Sequence, residues 1–471
     1  MKTRCIVQRG AVGLGVLILT GCTTFSEDRG FSVAEQTAAE HLGQKPVWLR
    51  DDEARAEAAA EVSRLLQEVL TPESAVQIAF LNSPGLQAAY AELGVSESNL
   101  VQAGRLPNPG FSYENTSGGG AQEIERGLEF GVLSLLTMPF RVEIQKRRFE
   151  AAKLRAAGDT IDVAMETRKA YFNAVAARQA LDYMGQVVDA AQASRDLMAR
   201  MKRVGNASRL ELAREQLFLS ESTVAYAQAK RNELATREAL ARALGLWGQQ
   251  LNFRLPDRLP NLPGEPTELE NIEQLALSQR VDLQLARHDL DAMSKNLGLT
   301  KATRFINVLE AGPARVREAG EPKRSSYHIL FEIPIFDWGD ARIAKSEHLY
   351  TQASERFREA AIGARSEVRL AYQGYRTAYD IARYYRDEIV PLRKQISDEQ
   401  LLLYNGMLVG VFELIADARE QVITVNGYLE ALLEYWNADT ELQHALLNSA
   451  SPGMASASAL SIPTTGEAAG H

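Results

Sequence analysis

Glu166-Thr167-Arg168-Lys169-Ala170-Tyr171 returns as Glu367-Val368-Arg369-Leu370-Ala371-Tyr372, 201 residues later. In each copy a glycine follows the tyrosine by 34 residues, Gly205 in the first and Gly406 in the second. Leu210-Glu211-Leu212 then corresponds to Phe412-Glu413-Leu414, with one extra residue in the second copy. Chance supplies a short match, but not the match, the spacing and the glycine together. Such a long-period repeat reports a duplicated architecture.

Around each copy the apolar spacing is helical. No proline interrupts the chain between Phe140 and Val204. About 65 residues at 1.5 Å per residue give a helix of roughly 98 Å, far beyond an ordinary globular helix. Gly205-Asn206-Ala207-Ser208 is a turn, and Arg209 to Leu246 returns as a second long helix. In the second half a helix from Ala341 to Leu403 is bent near Pro391, Gly406 to Gly410 turns, and Phe412 to Leu447 returns. Helices this long need partners along their whole length.

Short alternating segments precede each long helix. Phe111-Ser112-Tyr113-Glu114 and Leu128-Glu129-Phe130-Gly131-Val132 flank Gly118-Gly119-Gly120. A strand from Arg304 to Ala311, a charged loop from Pro313 to Arg324 and a strand from Tyr327 to Ile335 form the counterpart. Period-2 alternation predicts strands with two unlike faces. Glu114, Glu129 and Glu332 fall on the polar face. Further helices are expected over 51–70, from Thr71-Pro72 with a break at Asn82-Ser83-Pro84, and over 268–299 behind a Thr267-x-x-Glu270 capping box. Residues 23 to 50 read as extended, and 449–471 as a disordered tail.

The first 21 residues read as a secretory signal. Lys2, Arg4 and Arg9 precede an apolar run from Ala11 to Leu19 that is too short to span a bilayer. The run ends Leu19-Thr20-Gly21-Cys22, similar to a bacterial lipobox that is cut before a lipidated Cys22. Thr23, in place of an aspartate, matches outer-membrane sorting. Removing the signal takes the formal net charge from −9 to −12, which excludes a nucleic-acid partner. Cys5 and Cys22 are the two cysteines, so no disulfide framework or cysteine metal site is available once the signal is gone. His288, His328, His348 and His444 lack metal spacing. No Ser-x-x-Lys, His-Glu-x-x-His or nucleophile elbow stands in a matching context, so no cofactor and no enzyme chemistry are expected.

The segments divide the chain into signal (1–21), N-terminal extended segment (22–70), first repeat (71–246), proline-rich linker (247–266), second repeat (267–448) and tail (449–471). Four amphipathic strands of bilayer-crossing length must close into a barrel, and bacterial barrels start at eight strands. One chain cannot close alone. Two would leave only a side-chain-filled interior, and three would enclose a channel.

Ala79-Phe80-Leu81-Asn82-Ser83-Pro84-Gly85-Leu86, Arg280-Val281-Asp282-Leu283 and Ile333-Pro334-Ile335-Phe336-Asp337-Trp338-Gly339 resemble, in order, three motifs of the outer-membrane efflux (TolC-like) family. The resemblance covers 71–448. It implies a mainly α chain with a small β part, a homotrimer with a twelve-stranded β-barrel in outer-membrane lipid and a periplasmic α-barrel of coiled-coil helices. It implies a passive duct working with a periplasmic adaptor and an inner-membrane pump. Gly205 and Gly406 match the periplasmic tips. Glu211 and Glu413 match acidic gate positions, Asp417 lies one step beyond a further one, and Arg203, Arg209 and Tyr404 are their candidate partners. The plainer reading of the acids is a favourable charge in the first turn of a helix. A periplasmic coiled-coil lipoprotein acting as a tether explains the lipid anchor and the helices, but not the paired strands.

Overall fold

A computed structural model describes residues 24–118, 121–305, 308–318, 321–332 and 335–449. The signal, Cys22 and all but the first residue of the tail lie outside the described residues, as do Gly119-Gly120 and Ile333-Pro334.

Both halves run in the same order. In the first, α3 (Pro72–Asn82) and α4 (Pro84–Ala103) lead into strands β1 (Gly110–Gly118) and β2 (Ala121–Gly131), then α5 (Val132–Arg203) and α6 (Arg209–Ala243). In the second, α7 (Ile272–Gln279) and α8 (Val281–Ala302) lead into β3 (Leu309–Glu318) and β4 (Arg324–Phe331). Next come α9 (Asp340–Tyr384), a π turn (Tyr385–Ile389), α10 (Val390–Asn405) and α11 (Val411–Leu447). With 72 residues, α5 is about 108 Å long. Pro139 sits inside its exposed early turns, so the helix starts before the expected Phe140.

Sequence chemistry explains the breaks. Thr71 and Ser74 form a reciprocal capping box with Pro72 at the first helical position. The Ser83 side chain caps α4 before Pro84. The equivalent break before α8 is held by Arg280, only 1% exposed. Its guanidinium grips Asp282 at 3.0 and 2.8 Å and reaches Glu367 at 2.9 Å and the Ala445 carbonyl at 3.2 Å. One side chain thus ties α8 to α9 and α11.

The core is a belt midway along the helices. Phe172 stacks on Trp436, and Tyr435 packs against Tyr375 and Tyr379. The linker is bonded to this belt through the Trp436 indole N–H to the Pro260 carbonyl, 3.0 Å, and the Tyr379 hydroxyl to the Gly264 carbonyl, 2.5 Å. Towards the sheet, alanines such as Ala152, Ala156 and Ala164 let the helices approach closely.

Several expectations change. Residues 23–50 are not all extended, since α1 spans Ser32–Leu42 and buries Ala34, Ala38 and Leu42 against α5. A second helix, α2 (Asp52–Leu65), ends short of Leu70. The Thr267 box does not form, because its amide donates to the Tyr375 hydroxyl at 2.9 Å and α7 starts five residues later. Strand β3 begins at Leu309, not Arg304, and runs through the expected loop at Pro313, because β2 and β4 flank it on both sides.

The repeat also acquires a cause for its extra residue. The first tip turns at Gly205, φ +86, and Asn206 N bonds back to Met201 O at 2.9 Å. In the second tip Leu408 N bonds back to Leu403 O at 2.9 Å and the left-handed residue is Met407, φ 57. Gly205 therefore corresponds to Met407 and not to Gly406. The offset is 201 at Tyr171 and Tyr372 but 202 at the tips. The π turn lies between, and a π turn absorbs one extra residue without ending a helix. The inserted residue sits there, ahead of the glycine.

Replacing Arg280 with methionine leaves Asp282 and Glu367 facing an apolar side chain. The expected loss is about 3 kcal/mol, the lower part of the range for a broken buried pair because both acids keep some solvent. A lowered urea midpoint with an unchanged slope checks it.

Candidate functional site

Two regions gather the candidate residues, the helical tips and the sheet. At the first tip the Ser208 hydroxyl caps α6 by accepting from the Glu211 amide, and the Ser208 amide donates to the Glu211 carboxylate at 2.6 Å. The Ser208 amide, and then its hydroxyl, hold the Glu211 carboxyl below the usual carboxylate range. Glu413 accepts the Gly410 amide at 2.9 Å in the same way. Glu211 therefore closes a full capping box, and Glu413 makes only its backward half because glycine has no side chain to complete it; both fit the helix-terminus reading of these positions. Arg203, Arg209 and Tyr404 lie exposed at the tips.

The buried acids lie one helical turn further in. Asp417 is 7% exposed and pairs with Arg393 of α10 at 2.8 Å, and Ser397 donates to it at 2.6 Å. The Arg393 guanidinium also reaches the Asp417 carbonyl. Glu215, 4% exposed, pairs with Arg419 of α11 at 2.7 Å and accepts from Ser194 of α5 at 2.7 Å. Glu215 and Asp417 are 202 residues apart, so they are repeat equivalents. Their serines both come from the preceding helix. Their arginines differ: Arg393 closes the second hairpin on itself, whereas Arg419 ties the second hairpin to the first. Sequence reasoning missed Glu215, although an acid four residues after Glu211 and again after Glu413 was the available signal.

The sheet is antiparallel in the order β1-β2-β3-β4. Residues directly opposite one another share a face. Register places Glu114 opposite Glu125, Glu123 opposite Glu318, and Gly110 opposite Glu129. Glu310 falls on the same face, and Glu332, just beyond β4, is in phase with His328 on it. His328 approaches Glu129 at 3.7 Å. The opposite face carries Phe111, Tyr113, Leu128, Phe130, Tyr327, Ile329 and Phe331, all exposed in the single chain. Along β3 the acidic-face positions are the more enclosed ones, so the sheet curves with its carboxylates on the concave side. At Gly312 a Cβ would fall 1.6 Å from the Leu128 carbonyl oxygen, which fixes glycine there.

No family model matches the chain. Protein CyaE of Bordetella pertussis is 27% identical over 288 residues, covering 56% of this chain and 60% of that protein. The outer-membrane channel OprN superposes with a TM-score of 0.67 at 14% identity, covering 86% of this chain and 94% of that one. The fold is that of the TolC-like outer-membrane channels. The Neisseria gonorrhoeae MtrE outer membrane channel, solved in its open state, agrees with a TM-score of 0.66 at 18% identity, over 82% of this chain and 89% of that one. The chain spans about 60% of the length of the curated relative it matches. Among the described residues no helix is long and apolar enough to cross a membrane, and no three histidine, cysteine or acidic side chains gather as metal ligands.

Replacing Arg419 and Arg393 with alanine leaves buried Glu215 and Asp417 without a cation, with Ser194 and Ser397 as their remaining side-chain donors. Each loss is expected to cost about 3–5 kcal/mol, and the loss of Arg419 also frees one tip from the other. Planar-bilayer recordings should then show larger or longer openings than wild type, and Glu211→Ala with Glu413→Ala should change them less.

Proposed function

We propose that three copies of the chain form a passive outer-membrane duct of a tripartite efflux or secretion system. Three four-stranded sheets close a twelve-stranded barrel whose carboxylates line the lumen and whose aromatics meet lipid. The long hairpins continue it as an α-barrel through the periplasm. The observation that carries this reading is the two-faced sheet set at one end of a helix about 108 Å long. A tether would have no use for aromatics exposed on one face and acids gathered on the other.

The exposed tips support this choice of partners. Val204, Leu210, Met407 and Leu408 are 72, 62, 93 and 75% exposed there. Apolar side chains presented at both turns of every protomer suit a periplasmic adaptor, which joins the duct to an inner-membrane pump. Glu215 and Asp417, with their arginines, hold the tips in one arrangement, and Glu211 and Glu413 sit beside them at the mouth. No bond chemistry is assigned to the chain, and no cofactor beyond the lipid on Cys22.

The lipid anchor is supported by the place of Ser26. Ser26 donates its amide and hydroxyl to buried Glu97, both at 2.6 Å. Glu97 is about 9 Å from the sheet-side end of α4. Four residues span at most about 14 Å, so a lipid on Cys22 would lie within that reach of Ser26. Asp28 helps to fix this segment. The Ser32 hydroxyl and the Gly30 and Ser32 amides hold its carboxyl down at about 2, below the ordinary 3.8. Because the folded value is the lower one, this contribution is present above 3.8 and is lost as pH falls towards 2.

The purified full chain in a planar bilayer is expected to give uniform conductance steps of an open twelve-stranded pore, and absence of steps from a well-folded oligomer would sink the duct. Separately, Cys22→Ala is expected to abolish palmitate labelling in cells while leaving the conductance of purified protein unchanged.

A further inference from the structure

The convex face of the sheet changes character between two adjacent layers. Phe111, Leu128, Pro313 and Tyr327 form one layer across all four strands. The next layer towards the hairpin turns is Tyr113, Arg126, Arg315 and Ser325. Arg126 and Arg315 are direct cross-strand partners. Arg317 follows two residues on, on the same face. All three arginines are exposed. The carboxylates of the strands lie on the other face, and the acids that form ion pairs here, Glu129 and Glu321, take His328 and Arg324.

Like charges directly opposite one another destabilise a strand pair. An anion between Arg126 and Arg315 reverses that sign. The planar guanidinium fork matches a phosphate group with paired hydrogen bonds, which an ammonium does not. The height of the cluster selects the source of the phosphate. It sits one residue pair beyond the apolar layers, on the face turned away from the lumen. Tyr113 shares the layer, with its ring centroid 5.7 Å from the Arg126 guanidinium, and tyrosine is a residue of membrane–water boundaries.

We propose that Arg126, Arg315 and Arg317 bind the phosphate groups of outer-leaflet lipid headgroups, which hold the barrel at a fixed height in the membrane. This rests on the duct reading, since it needs the convex face to meet lipid.

The test uses the full chain in neutral detergent, melted with increasing lipid A, with dephosphorylated lipid A, or with inorganic phosphate at matched phosphate concentration. Wild type is expected to gain thermal stability with lipid A alone. The R126Q/R315Q/R317Q variant is expected to need at least about tenfold more lipid A for the same gain, given what a charge-assisted hydrogen bond contributes. R126K/R315K/R317K keeps the charge and loses the fork, and an intermediate requirement is expected; it decides the matter if the glutamine variant does not fold. An unchanged response in the variants overturns the site, and an equal gain from inorganic phosphate overturns the lipid as occupant. Conductance in phosphatidylcholine bilayers is read in parallel. Steps without arginine-dependent lipid A binding sink this inference alone, whereas no steps from folded protein sink the duct reading.

Discussion

Backbone hydrogen bonding at the two outer strands is the constraint on which the structure depends. In the order β1-β2-β3-β4, the first and last strands each have one edge without a partner among the described residues. In water such edges invite uncontrolled pairing. In hydrocarbon each unpaired group costs several kcal/mol. Neither cost is met by a single chain whose convex face exposes Phe111, Tyr327 and Ile329. The same edges, aromatics and carboxylates fit together once other copies of the sheet complete a closed wall.

The helical part answers a different demand, that of length. A helix of some 100 Å is not stabilised by local propensity alone, so it needs packing and polar ties along its course. The aromatic belt around Tyr435 and Trp436 supplies the middle, with the linker bonded to it. Arg280 fixes the sheet-side half of the second repeat, and Glu215 with Arg419 fixes the far end. The duplicated halves are equivalent without being identical. The π turn shifts one hairpin by a residue, and the arginine partners of Glu215 and Asp417 come from different hairpins. That asymmetry makes the Arg419 tie a connection between repeats rather than within one.

Much of this was legible in the sequence, and the exceptions have physical reasons. Period-2 alternation placed Glu114 and Glu129 opposite the aromatics, because a strand has only two faces. Thr71-Pro72 and Ser83-Pro84 marked real helix starts, because caps act locally. The Thr267 box failed, because a bond from its amide to Tyr375, distant in sequence, replaced it. Helix α1 was hidden, because its buried stripe is Ala34, Ala38 and Leu42, weakly apolar by composition. Gly406 looked like the turn residue, but the insertion at the π turn moves the left-handed position to Met407. Among the tip residues the sequence pointed to Glu211, Glu413 and Asp417 by position. Burial separates them: the first two cap helices and the third is enclosed with Arg393. Glu215 was signalled by the four-residue spacing that Glu211–Glu215 shares with Glu413–Asp417, and its burial shows why it differs from Glu211.

Amide hydrogen exchange along β1 and β4 tests closure most directly. It would be measured on the assembly in its membrane and compared with the dissociated chain. If other copies complete the wall, every amide of the transmembrane part of both strands is protected in the assembly. In the dissociated chain, alternate amides, those facing the open edges, exchange rapidly. Rapid exchange at those alternate amides in the membrane-embedded assembly would show an open sheet and contradict the account.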